Sequence, residues 1–243
     1  MHSVRRIAEC LGLEGSFRVV NDFFGYVTGS PWQVSLSRQL RLMKTLHVDL
    51  NLIRVGVELF TPADEKEIDR AVAFMRDTYA HVDFGVGRVR RYGISLADAD
   101  GHEHIADDKE AEELTHAWSV HNDVEELQST GLILVRTSLD VFFVRTFAGS
   151  ALGSAPRDGP YDNDADGAMT GVVIAMEGTP ADTGFVLAKY VARYLGLKPS
   201  DRANNLMYDW VPNGGHLTRD QYEEMTKSGF ANAGCGWTVM VSW

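Results

Sequence analysis

The chain is 243 residues long, with 34 Asp and Glu side chains against 23 Lys and Arg and a formal net charge of −11. This acidity disfavours nucleic acids and anionic membrane surfaces as partners, because binding a polyanion requires a cationic surface. A content of 44 % hydrophobic and 23 % charged residues is typical of a folded soluble domain. No apolar run approaches the ~20 residues of a membrane-spanning helix.

The amino-terminal region contains Arg5 and Arg6 but no apolar stretch behind them, so it does not resemble a signal peptide. We therefore expect a cytoplasmic protein, or one delivered without a classical signal peptide. Only two cysteines, Cys10 and Cys235, occur in the chain. This number excludes a framework of disulfides and leaves open either one terminal disulfide or two reduced thiols.

A strand, a helix and a second strand are predicted in the region that follows. Alternating apolar and polar residues at the start of Val48–Phe60 indicate a strand. Thr61 followed by Pro62 is a typical helix start, and recurring apolar residues as far as Tyr79 give that helix a buried face. The second strand is predicted over Phe84–Leu96.

A polar segment then carries two histidines, His102 and His104, close to Asp98 and Asp100. Imidazole and carboxylate groups are suitable metal ligands, so this segment is a candidate metal site. The alternative is a solvated turn. The acidic residues 107–127 that follow predict a largely solvated helix.

Two β-forming segments, Leu132–Val135 and Leu139–Phe147, precede a loop that carries a calcium-like pattern. Asp162, Asp164 and Asp166 place oxygen ligands at alternate positions before a glycine, as in the first half of a calcium loop. The position of the closing glutamate is occupied by a valine. The two interpretations are a calcium site and a flexible acidic loop.

Four elements are predicted in the last part of the chain. They are a buried strand at Gly171–Met176, helices at Thr183–Leu195 and Arg219–Lys227, and a final strand at Ala231–Trp243. Gly196 and Pro199 are typical of a helix end. Thr218 is a suitable N-cap for the second helix.

The segment from Thr183 to Met207 resembles the zinc-binding helix and Met-turn of the metzincin metallopeptidases, whose motif is H-E-x-x-H-x-x-G-x-x-H. The likeness rests on Val-Leu-Ala before the motif, Tyr-Leu-Gly-Leu within it and Asn-Leu-Met-Tyr after it. The positions that the motif specifies are occupied, in order, by Lys189, Tyr190, Arg193, Gly196 and Pro199, and the Met-turn residue is Met207.

The resemblance implies an α+β fold of α/β-like layout, with a twisted mixed sheet, an active-site-type helix, a Met-turn and a carboxy-terminal helix. Residues 46–230 would form the metzincin-like domain. Residues 1–45 would be an amino-terminal extension, and residues 231–243 a carboxy-terminal extension that forms an extra strand. Leu139–Phe147 resembles the edge strand that frames the cleft in this family.

The residues at the motif positions are unsuited to a catalytic zinc site. Lys189 and Arg193 are cations without a lone pair, and Pro199 offers no side-chain ligand. Tyr190 replaces the general base with a phenol whose ordinary pKa is about 10. We therefore expect an inactive site without zinc, in which Met207 keeps only its packing role.

Two interpretations of Lys189 and Arg193 remain open. In the first interpretation, each cation is paired with a carboxylate such as Asp201 or Asp209, because like charges four residues apart on a buried helix face need compensation. In the other interpretation, the two cations face the inherited cleft and bind an anionic group, with the arginine as the bidentate partner.

The sequence accordingly predicts a catalytically inactive metallopeptidase-like protein that acts as a protein-binding or structural module within a larger assembly. It predicts no cofactor, apart from calcium in the acidic loop. The partner would be another protein or a second copy, contacted through the terminal extensions. Two alternatives are an enzyme with non-zinc chemistry in the inherited cleft and a calcium-binding protein that uses loop 158–167.

Overall fold

The fold is taken from a computed structural model, which describes residues 46–120, 125–127, 132–134, 138–148, 152–161, 168–208 and 215–232. The predictions for residues 1–45, for the loop aspartates Asp162, Asp164 and Asp166, and for residues 233–243 lie outside the described residues, as do both cysteines.

The strands are β1 His47–Val55, β2 Gly85–Ile94, β3 His104–Ile105, β4 Glu125–Leu127, β5 Leu132–Leu134, β6 Ser138–Val144, β7 Thr146–Phe147, β8 Gly153–Ser154 and β9 Val172–Ala175. The helices are α1 Pro62–Ala80, α2 Leu96–Ala99, α3 Asp108–Trp118, α4 Pro180–Tyr194 and α5 Arg219–Met225, with a short 3₁₀ turn at Val57–Leu59. Of the helices that the structure describes, none is both long and apolar enough to cross a membrane.

A five-stranded sheet in the order β2-β1-β6-β9-β8 forms the centre of the fold. The first four strands run parallel, and β8 pairs antiparallel with β9 at one edge. Two small two-stranded sheets, β3-β7 and β4-β5, accompany it. The predicted combination of a mixed sheet with helices is therefore confirmed.

The central strand β6 is buried along its whole length, so its side chains divide between two hydrophobic cores. Leu139, Val141 and Phe143 lie in the core that contains residues of α1 and α4. Phe142 and Val144 lie in the core on the other face, with residues of α3. A parallel strand covered on both faces needs a nearly continuous apolar sequence, which β6 has.

The assignment of Leu139–Phe147 to the edge of the sheet is wrong. Ser138–Val144 pairs with β1 on one side and β9 on the other, and the antiparallel edge strand is Gly153–Ser154. The error has a physical cause, because an edge strand exposes part of its surface, whereas every residue of this strand is buried.

The helix predicted over residues 107–127 ends early, at Trp118. The buried carboxylate of Asp140 accepts hydrogen bonds from Ser119 Oγ at 2.9 Å and from the backbone N–H of Val120 at 2.7 Å. The Asp140 carboxylate also accepts one from Asn51 Nδ2 at 2.8 Å on the neighbouring strand. These bonds hold the chain in an extended conformation and prevent the helix from continuing.

Helices α1 and α4 both begin with a capping box. In α1, Thr61 Oγ1 accepts from the backbone N–H of Asp64, and the Asp64 carboxylate accepts from the Thr61 N–H. Thr179 and Asp182 make the same exchange in α4, which therefore begins at Pro180 rather than at the predicted Thr183.

A short antiparallel bridge joins the two ends of the described region. The backbone N–H of His47 donates to the Asn232 carbonyl at 3.0 Å, and the Asn232 N–H donates to the His47 carbonyl at 2.7 Å. Asn232 thus pairs with His47 of β1, close to Asp49, where the pairing of β1 with β6 begins. The chain segments before residue 46 and after residue 232 start from neighbouring points.

Candidate functional site

Helix α4 carries the first three motif positions, Lys189, Tyr190 and Arg193, and is fixed against α1. Tyr79 of α1 is fully buried, and its hydroxyl donates to the Ala188 carbonyl of α4 at 2.8 Å. Gly184 allows close approach, since a Cβ there would lie 3.1 Å from Cβ of Phe74. Burial of its phenol raises the pKa of Tyr79 well above its ordinary value, so this group stays neutral at physiological pH.

The end of α4 has the geometry that the glycine of the motif would require. Gly196 has a φ of +104°, a conformation that favours glycine. The N–H of Leu197 donates to the Ala192 carbonyl at 3.1 Å, and the N–H of Gly196 donates to the Arg193 carbonyl at 2.9 Å. This is a Schellman motif, which turns the chain sharply away from the helix axis.

Lys189 lies beside the turn that contains Met207. Its ammonium Nζ donates to the carbonyl oxygen of Tyr208 at 2.9 Å. The N–H of Ser200, the residue after Pro199, donates to the neighbouring carbonyl of Met207 at 2.9 Å. Two consecutive carbonyls of the turn therefore accept one bond from the helix and one from the loop that follows the helix.

Met207 is buried in a turn that is held by side-chain amides. The Met207 N–H donates to Asn205 Oδ1 at 2.9 Å. Asn205 and Gln221 of α5 then exchange two amide hydrogen bonds, at 2.9 and 3.0 Å. Gln221 Oε1 also accepts from the Thr218 N–H at 2.9 Å, so the predicted N-cap of α5 is confirmed and connected to the turn.

The other motif positions lie in different surroundings. Tyr190 is half-buried against the edge strand, where a Cβ on Gly153 would lie 3.3 Å from its ring. Arg193 and Pro199 are exposed. The structure thus brings Lys189, the loop at Pro199 and Met207 together, whereas Arg193 projects from the surface and does not share a buried face with Lys189.

Pairing of Lys189 or Arg193 with the carboxylate of Asp201 or Asp209 stays a prediction. Asp201 is exposed and makes no ion pair with either cation within the part of the chain that the structure describes. Asp209 lies outside the described residues. Anion binding by Lys189 and Arg193 stays a prediction.

The histidine-rich segment does not form a cluster. His102 Nδ1 contacts the Ala99 carbonyl at 2.8 Å, and His104 Nδ1 contacts Thr146 Oγ1 at 2.9 Å. Asp98 accepts from Ser95 Oγ at the start of α2. Within the described ranges, no three His, Cys, Asp or Glu side chains are grouped to hold a metal ion.

Calcium binding by the acidic loop stays a prediction. Its three aspartates lie outside the described residues, and Val173, at the closing position, is fully buried in β9. Asp158, at the start of loop 158–167, has a φ of +54°, and its N–H donates to the Arg193 carbonyl at 3.2 Å.

Sequence reasoning missed a depression beneath the end of α4. It has a volume of about 410 Å³ and lies between the loop at Gly196–Ser200 and helix α5. The lining residues with charged side chains are Lys198, Arg202, Asp220 and Glu224. None of them belongs to a known motif, and the only sequence signal is two cations close together in an acidic chain.

No known family profile and no curated protein matches this sequence. The chain is similar to the crystal structure of metalloproteinase-II from Bacteroides fragilis, at 13 % sequence identity and a TM-score of 0.49, over 76 % of this chain and 54 % of that one. It is also similar to a chain in the structure of a chaperone-substrate complex, at 13 % identity and a TM-score of 0.42, over 70 % of this chain and 29 % of that one. This chain thus spans about half the length of the metalloproteinase. At such identity, the roles of individual residues must be argued from the chain's own geometry.

Proposed function

We propose that this protein is a catalytically inactive, metallopeptidase-like module that binds another protein or a second copy of itself, or serves a structural role in an assembly. The likeness of the sequence from Lys189 to Met207 to the zinc-binding helix and Met-turn of the metzincins supports this proposal. At the first ligand position, the side chain of Lys189 supplies a hydrogen bond to the adjacent turn instead of metal coordination.

The hydrogen bond from Lys189 Nζ to the Tyr208 carbonyl carries the proposal. In the metzincin motif the first zinc-binding histidine stands at this position. The ammonium that replaces it has no lone pair, repels Zn²⁺ and is held 2.9 Å from a backbone oxygen of the adjacent turn. This side chain therefore fastens the helix to the turn.

Metal analysis combined with a hydrolysis assay tests the loss of catalysis. The full chain is incubated with zinc, dialysed and analysed by mass spectrometry for bound metal, and is then assayed against a library of quenched fluorescent peptides. We expect much less than one equivalent of zinc per protein chain. We also expect no peptide hydrolysis that is sensitive to a chelator. One retained equivalent of zinc together with chelator-sensitive hydrolysis would overturn the proposal.

A restored motif tests the resemblance itself. The four substitutions Lys189→His, Tyr190→Glu, Arg193→His and Pro199→His rebuild the complete pattern around Gly196. If the backbone keeps the metzincin arrangement, this variant acquires one equivalent of zinc, because three imidazoles then converge on one site. The matched control carries the last three substitutions and keeps Lys189, and it should bind zinc much more weakly. Equal zinc contents in the two variants would contradict the assignment of Lys189 to the first ligand position.

A further inference from the structure

Two histidines from distant parts of the chain lie side by side at the end of helix α1. The imidazole rings of His81 and His216 have their centroids 6.1 Å apart, and their planes are inclined by 86°. Both residues are exposed, so small ions in solution can reach them. Neither histidine stands at a motif position or lines the depression beneath α4. The pair is therefore a separate feature of the surface.

The backbone brings the two rings together. His81 is the C-cap of the 19-residue helix α1. The carbonyl of His216 accepts a hydrogen bond from the N–H of Leu206 at 2.9 Å, which ties it to the turn that contains the Met-turn residue. Gly215 packs on α1, since a Cβ there would lie 3.2 Å from Thr78 Oγ1. These contacts hold the segment at His216 against the last turns of α1.

The hydrogen bond of His81 leaves one ring nitrogen available. Its Nδ1 lies 2.7 Å from the carbonyl oxygen of Asp77. Because a carbonyl can only accept, Nδ1 carries the proton of the neutral ring, and the lone pair stands on Nε2. Histidines that bind metals commonly donate their other ring N–H in this way, and the bond fixes the orientation of the ring. His81 therefore has the arrangement of a metal ligand.

The separation of the two rings fits a shared metal ion. A metal binds an imidazole nitrogen at about 2.0–2.1 Å, so it lies about 3.2 Å from the ring centroid. Two imidazoles on one ion then have centroids roughly 5.2–6.4 Å apart, as the angle at the metal opens from about 109° to about 180°. The observed 6.1 Å falls within this range. The negative end of the α1 dipole also favours a cation at this place.

We propose that His81 and His216 form a two-histidine site for a late divalent transition metal ion, with water completing its coordination. Imidazole suits Zn²⁺, Ni²⁺ and Cu²⁺, and Cu²⁺ forms the most stable complexes of the three. A bound ion would fasten the turn that contains Met207 to the end of α1, since Leu206 of that turn is bonded to His216. The inference is independent of the proposed function, because Lys189 and the other motif positions take no part in it.

Paramagnetic broadening by Cu²⁺ locates the ion on the unmodified protein. Copper(II) chloride is added in less than stoichiometric amounts to the full-length, isotope-labelled protein, and the amide signals are followed by NMR spectroscopy. We expect the signals of residues 78–83 and 215–218 to broaden before all others. Excess Zn²⁺ should restore these signals by displacing the copper, whereas excess Mg²⁺, which prefers oxygen ligands, should not.

Substitution of each histidine tests whether the two rings bind one ion together. His81→Gln and His216→Gln should each weaken Cu²⁺ binding in titration calorimetry by at least about tenfold, because the second ligand of a chelate binds at a high effective concentration. The double variant should lose little more than either single variant, since one remaining imidazole cannot chelate. The matched control is His104→Gln, another exposed histidine, which should leave the affinity unchanged within about twofold.

Three results would overturn this inference. The first is broadening centred elsewhere, for example at His2 beside the terminal amine, which would mean adventitious copper binding. The second is a set of single losses that add up in the double variant, which would mean independent binding by two separate imidazoles. The third is an equal loss in His104→Gln.

The outcome is distinguishable from that of the proposed function. No third His, Cys, Asp or Glu joins the pair among the residues that the structure describes, so zinc is held here less tightly than in a site with three or four protein ligands. Such zinc should be lost on dialysis. Zinc that is retained with chelator-sensitive hydrolysis, and that persists in His81→Gln, would contradict the loss of catalysis and leave the two-histidine site to be judged by copper.

Discussion

Replacing Lys189 with methionine measures what its ammonium contributes. Methionine preserves the length and apolar stem of the side chain, and it removes the charge-assisted hydrogen bond to the Tyr208 carbonyl. Such a bond contributes roughly 1.5–3 kcal/mol. Lys189 is half-buried, so water can partly replace the lost donor, and we expect a loss near the lower limit, about 1.5 kcal/mol.

A loss of that size is readily measured. In a domain of this size, 1 kcal/mol shifts the midpoint of thermal unfolding by about 2–4 °C, so Lys189→Met should lower the midpoint by about 3–6 °C. Thermal unfolding by circular dichroism and urea unfolding give independent values. Arg193→Met is the matched control, one helical turn away on an exposed side chain, and should change the free energy of unfolding by less than about 0.5 kcal/mol.

The comparison of the two variants decides the role of Lys189. If Lys189→Met and Arg193→Met are equally stable, the bond to Tyr208 does not fasten the helix to the turn, and the argument for a structural role of the motif positions fails. If Lys189→Met is more stable than the original protein, the ammonium is held there at a cost. That result would favour a role in binding an anion.

Two further predictions follow from shifted pKa values. Burial alone would raise the pKa of Asp49, but contacts with His47 and the Arg88 N–H outweigh burial and hold this pKa below its ordinary value. Asp49 therefore stabilises the fold above about pH 4, and this contribution is lost as the pH falls further. At pH 7, Asp49→Asn should be less stable than the original protein by on the order of 1 kcal/mol. Urea unfolding should show the free energies of unfolding of the two proteins converging at acidic pH. A difference that stays constant with pH would refute the assignment. Burial raises the pKa of Tyr79, so its contribution is fully present below about pH 10 and is lost as the pH rises above that value. Tyr79→Phe should lose about 1 kcal/mol at pH 7 and show a smaller decline in stability between pH 9 and 11; an unchanged alkaline decline would contradict this prediction.

Local signals in the sequence were sufficient to locate the ends of several elements. Thr61 with Pro62, and Thr218 before α5, act through hydrogen bonds to residues two or three positions away. The end of α4 at Gly196 likewise depends on a conformation that glycine adopts at little cost. These features are decided within a few residues, and for that reason they can be predicted from the sequence.

Features that depend on distant partners could not be predicted. The central position of β6 is fixed by its neighbours β1 and β9, which lie far away in sequence, and the end of α3 is fixed by Asp140. The candidate site also combines features that depend on nearby residues with features that depend on distant ones. The motif frame can be recognised in the sequence, whereas the partner of Lys189 is a backbone carbonyl 19 positions away, beyond any local pattern.

The bridge between His47 and Asn232 determines how the domain responds to a pulling force. Because the two strands are antiparallel, the chain leaves His47 and Asn232 in the same direction. Tension that separates the two flanking segments therefore loads the bonds of this bridge one after another, in an unzipping geometry. The bridge has only two hydrogen bonds, each contributing roughly 0.5–1.5 kcal/mol, so it yields before the ladders that join β1 to β2 and β6. An assembly that pulls on both ends would open this bridge first and leave α4 and the Met207 turn intact.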